Sequence, residues 1–65
     1  MFSVTRETIY GVCQEIGEIW CLDEAMAICK ELSEKYPSQN IVLYEVNLYE
    51  GYRQIYAMRG GTVAY

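Results

Sequence analysis

A chain of 65 residues with a net charge of −4 and no histidine has room for one domain, residues 1–65, and lacks both the commonest zinc ligand and the usual general base near neutral pH. So short a chain buries only about 60% of the surface that its unfolded state exposes, so stability is marginal and each buried side chain counts. Nothing approaches the roughly 18 consecutive apolar residues of a membrane span, and Met1-Phe2-Ser3-Val4-Thr5-Arg6-Glu7 holds no apolar run long enough for a signal peptide. Neither a membrane nor secretion is therefore expected.

The cysteines point the same way. Cys13, Cys21 and Cys29 are odd in number and form no CxxC pair, which fits neither a zinc knuckle nor a secreted disulfide framework. A metal there would need Asp23 or another fourth ligand. No metal and no cofactor is expected, the thiols read as small apolar fillers, and a reducing cytoplasm is the simplest location.

The first twenty residues support two readings. Ile9, Val12, Cys13, Ile16, Ile19 and Trp20 form a helical stripe. Against it, Phe2 and Val4 alternate with Ser3 and Thr5, Thr8-Ile9-Tyr10 favours a strand, and Gly11 and Gly17 would each cost a helix about 1 kcal/mol relative to alanine. Composition favours two strands, about Phe2 to Ile9 and Cys13 to Trp20, turning near Gly11.

From Leu22 to Tyr36 the apolar positions Leu22, Ala25, Cys29, Leu32 and Tyr36 recur at helical steps, while Glu24, Lys30, Glu31, Glu34 and Lys35 point elsewhere. An amphipathic helix over about 22–36 follows. Its start resembles a capping box with Cys21 in the usual Ser/Thr place and Glu24 at the third helical position. Pro37 ends it by forcing Tyr36 out of helical geometry.

Ile41 to Asn47 and Tyr52 to Arg59 are dense in β-branched and aromatic residues and flank Gly51, which reads as a β-hairpin over about 41–59. Residues 60–65 form a frayed tail or a short edge strand. The expected fold is α+β: a small ββαββ domain whose four-stranded, mainly antiparallel sheet carries one helix on one face.

One helix covers one face, so the other face of a stable monomer should be polar. Both faces of this hairpin carry large apolar groups. Val42, Tyr44, Val46, Ile55 and Ala57 are assigned to the helix side, which leaves Ile41, Leu43, Tyr52, Tyr56 and Met58 on the open face as the expected partner-binding patch. Acids add a second feature. All nine lie between Glu7 and Glu50, where Lys30 and Lys35 alone oppose them to leave −7, and Arg6, Arg53 and Arg59 make the flanks +3. Glu31 and Glu34 are expected to steer the chain to a partner protein with a basic surface.

Catalytic signatures are missing: no glycine-rich phosphate loop after a strand, no GxSxG, no HExxH and no possible Cys–His couple. No catalytic residue is assigned and no enzyme is expected. Interleaved tyrosine and arginine from Tyr52 to Gly61 invites comparison with sheet-based nucleic-acid binders, yet the net negative charge disfavours nucleic acid. The leading expectation is a non-catalytic acidic protein-binding module. Its alternatives are a homodimer formed by stacking open sheet faces and a single-stranded nucleic-acid binder. In size, acidity and lack of chemistry the chain resembles the small inhibitors made by phages and mobile elements, including anti-CRISPR proteins and DNA mimics. That resemblance is one of type, because Leu22-Asp23-Glu24-Ala25-Met26-Ala27 is a helix opening common to unrelated small α+β proteins.

Overall fold

A computed structural model describes residues 1–64. Six elements follow in order: β1 (Phe2–Thr8), β2 (Gly11–Ile19), α1 (Leu22–Lys35), β3 (Asn40–Asn47), β4 (Gly51–Arg59) and β5 (Thr62–Val63). The strands form one sheet in the order β2-β1-β3-β4-β5, with every neighbouring pair antiparallel. An α+β fold with one helix on an antiparallel sheet is thus present, with a two-residue fifth strand beside the expected four. Gly60 and Gly61, both at positive φ, turn the chain so that Val63 pairs with Met58. The last residue of the expected 60–65 tail lies outside the described residues.

Two strands, not a helix, occupy the first twenty residues. Gly11 adopts φ 114, which an L side chain rarely tolerates, and so closes the β1–β2 hairpin. Of the alternative helical stripe, only Ile16 and Ile19 pack into the core, whereas Ile9, Val12, Cys13 and Trp20 are exposed. Near its end β2 bulges: Phe2 opposes Ile19 and Val4 opposes Ile16, and Glu18 in the spare stretch takes φ 57.

Helix α1 starts at Cys21, which is extended and whose thiol makes no capping hydrogen bond, so the side-chain half of the expected capping box is not formed. A thiol is a weak acceptor. Asp23 and Glu24 still favour the positive end of the helix, and the Tyr36 N–H donates to the Leu32 carbonyl at 2.8 Å before Pro37 stops it. The helix buries Ala25, Cys29 and Ser33, with Ile28 and Leu32 packed beside them; Leu22 is 42% exposed. Ser33 is useful there because its Oγ accepts the Gly61 N–H at 2.8 Å, which ties the β4–β5 turn to the helix.

Which sheet face α1 covers reverses the expected assignment. Ile41 pairs with Met58 and Leu43 with Tyr56 and Val4, and cross-strand partners share a face. Val4, Ile41, Leu43 and Met58 form the core with Ile19, Ala25 and Cys29, and Tyr56 packs against it. Ile41 and Leu43 are fully buried, so they are not part of an outer patch. Val42, Tyr44, Val46 and Ala57, expected beneath the helix, stand on the other face opposite Thr5, Ser3, Tyr52 and Val42 respectively. Ile55 belongs to neither row: the register shifts between Leu43 and Tyr44, which pair with Tyr56 and Gln54 and leave Ile55 as the extra, exposed residue.

Candidate functional site on the open face of the sheet

Alternation along β1 sets the character of the open face. Phe2 and Val4 point to α1, so Ser3, Thr5 and Glu7 point away. The β1–β2 register places Glu15 opposite Thr5 and Val12 opposite Glu7, and the β1–β3 register places Tyr44 opposite Ser3. Tyr52 joins them from β4 through its pairing with Val46. This face therefore mixes hydroxyls, acids and tyrosine rings with the aliphatic Val42, Val46 and Ala57, where a patch of Ile41, Leu43, Tyr52, Tyr56 and Met58 was expected.

Hydroxyls tie the group together. Ser3 Oγ donates to Glu15 Oε2 at 2.8 Å, Thr5 Oγ1 donates to Glu7 Oε2 at 2.7 Å, and Tyr44 OH donates to the same Glu7 oxygen at 2.9 Å. Ser3 and Thr5 are buried, whereas Glu15 and Tyr52 are exposed. The neighbouring Glu15 carboxylate pushes the Tyr52 phenol above its usual 10.0. The Tyr44 and Tyr52 rings meet edge to face at 5.7 Å and 78°. Thr5, Glu7, Val12, Glu15, Tyr44 and Tyr52 line a groove of about 280 Å³.

The expected binding residues are divided by the fold. Tyr52 lies in this groove. Tyr56 and Met58 lie on the helix side, where they line a second groove of about 420 Å³ with Met26, Ala27, Lys30 and Val63. Ile41 and Leu43 are in the core, and Glu31 and Glu34 are exposed on α1, which packs on the sheet face opposite Tyr52. Sequence reasoning missed Thr5, Glu7, Val12 and Tyr44 as members of the site, and counted Glu15 only among the scattered acids. The signal available was the β1 alternation of hydroxyl and acid, Ser3-Thr5-Glu7, opposite Phe2 and Val4.

Chemically the group offers acceptor oxygens, ring faces and a protonated phenol. Among the described residues no cluster of His, Cys, Asp or Glu is arranged to hold a metal ion. No helix is long and apolar enough to cross a membrane. No family model, no curated protein and no solved structure matches this chain.

Proposed function

We propose that the chain is a non-catalytic, acidic protein-binding module, an inhibitor or regulator that works by occupying a basic surface of a partner protein. One observation carries this reading: two carboxylates and two tyrosine rings converge on one groove in the sheet face that α1 leaves uncovered. Tyrosine supplies rigid contact area with a hydroxyl that tolerates water, and carboxylates speed encounter with a positive surface. Small size and acidity suit an inhibitor of the phage or mobile-element type, in the manner of anti-CRISPR proteins and DNA mimics. Three unpaired cysteines, two of them exposed, accord with a reducing cytoplasm.

The rival readings draw less support from this surface. Stacking two open faces into a homodimer would bring two acidic grooves into one interface. A nucleic-acid backbone would meet the same carboxylates, and Arg53 stands on the other side of β4 from Tyr52, 2.7 Å from Glu45.

The test is capture from an extract of the source organism by the immobilised chain, with variants read side by side. Tyr52→Ala and Glu15→Lys should each weaken capture of the specific partner, with Tyr52→Ala costing about 2 kcal/mol as an anchor residue. Glu31→Lys with Glu34→Lys should slow association and leave capture intact. Capture that survives both open-face changes would overturn the reading.

A further inference from the structure

No lysine or arginine of this chain lines the open-face groove. The Arg6 guanidinium lies over the Tyr36 ring at 3.8 Å, and the Lys35 ammonium approaches the same ring at 5.5 Å. Arg53 bonds Glu45 at 2.7 Å, Arg59 donates to the Ser38 carbonyl at 3.1 Å, and Lys30 lines the helix-side groove. Glu7 and Glu15 thus share one small hollow, held by hydroxyl donors, with no cationic side chain of their own chain beside them. A cation placed in this hollow would meet both carboxylates.

The rings add shape to this charge. Tyr44 and Tyr52 stand near perpendicular and line the groove together with the aliphatic Val12. Ring faces attract organic cations, and carboxylates accept their N–H groups in short charge-assisted bonds. A bare metal ion would be poorly served by this lining, half of which is aromatic or aliphatic. We infer that the groove formed by Thr5, Glu7, Val12, Glu15, Tyr44 and Tyr52 is a receptor for one cationic side chain, an arginine or lysine, presented by the partner protein. This inference rests on the protein-binding reading and names the group recognised.

Nuclear magnetic resonance titration of the intact chain tests it without knowledge of the partner. The probes are N-acetyl-arginine methylamide, N-acetyl-lysine methylamide and, as a neutral isostere of arginine, N-acetyl-citrulline methylamide, each at millimolar concentration and matched ionic strength. Saturable shifts of the Thr5, Glu15 and Tyr52 amides with arginine or lysine and none with citrulline are expected; the stronger of the two cations identifies the side chain. Glu15→Gln, which keeps size and fold, should weaken binding about fivefold or more, and Tyr52→Phe, which keeps the ring, should weaken it less than Tyr52→Ala. Equal shifts with citrulline, no saturable shift with either cation, or binding unchanged in Glu15→Gln would overturn the inference. If capture from extract requires Tyr52 and Glu15 while no probe binds, the inference fails and the protein-binding reading stands; if the cations bind while capture ignores both residues, the reverse holds.

Discussion

Tyr52 and Tyr56 belong to one strand and have the same parity, yet they stand on opposite faces of the sheet. Tyr52 pairs with Val46 on the open face, Tyr56 pairs with Leu43 under α1, and the extra residue Ile55 between them reverses the alternation. The bulge therefore does two things: it gives the core Tyr56 and Met58, and it brings Tyr52 to within 5.7 Å of Tyr44.

Deleting Ile55 should force the Tyr52 end of β4 onto the other face or break its pairing with β3. An expected loss of about 2 kcal/mol or more should appear in the urea midpoint, together with loss of cross-peaks between the Tyr44 and Tyr52 rings. A deletion variant of native stability that keeps those cross-peaks would show that the bulge does not control the face.

Core and surface members of the hairpin should separate cleanly on truncation. Leu43→Ala removes a fully buried side chain and should cost about 2 to 5 kcal/mol, enough to unfold so small a domain. Tyr52→Ala, more than half exposed, should cost under about 1 kcal/mol, the worth of a cross-strand aromatic contact. Thermal unfolding of the two variants makes the comparison, and equal losses would contradict the face assignment.

Burial pushes the Cys29 thiol from 9.0 up to about 11, and its sulfur lies 3.7 Å from the Ile41 carbonyl oxygen. Because the folded state holds this proton more tightly than the unfolded state, its contribution is fully present below about pH 9 and is lost as the pH rises through about 11. Unfolding free energy should fall across that window, and less steeply in Cys29→Ala. Burial also raises Tyr56, so some slope should persist. A thiol reagent at mildly alkaline pH should label Cys13 and Cys21 in the native protein and Cys29 only on unfolding. Fast native labelling of all three would contradict the packing.

Glu18 is the one residue other than glycine, among those described, that adopts positive φ. A left-handed backbone costs a non-glycine residue about 1 kcal/mol or more, and glycine returns part of that gain through its freer unfolded chain. Glu18→Gly should stabilise the domain by about 0.5 kcal/mol, read from urea unfolding. A net loss would place a stabilising role in the Glu18 side chain.

Local chemistry was enough to place the elements. Pro37 ends α1, positive-φ glycines Gly11 and Gly51 sit at the β1–β2 and β3–β4 turns, and the β-branched and aromatic density of β3 and β4 marks them as strands. Each of these signals acts within a few residues of chain and needs no knowledge of what packs where. The candidate site was far less legible. Tyr52 and Glu15 were visible as a ring and an acid, but their meeting with Glu7 and Tyr44 depends on three strand registers at once.

The sequence by itself therefore determined the order and kind of elements, the acidity and the want of histidine chemistry. Only the tertiary structure decided which side of the sheet α1 covers. In β3, Ile41 and Leu43 alternate with Val42, Tyr44 and Val46, so hydrophobicity alone cannot choose a face; the choice comes from Val4 pairing with Leu43 and from the bulge at Ile55. Side chains alternate with a period of two, so one extra residue exchanges inside for outside in all that follows, and such a residue leaves no mark on composition.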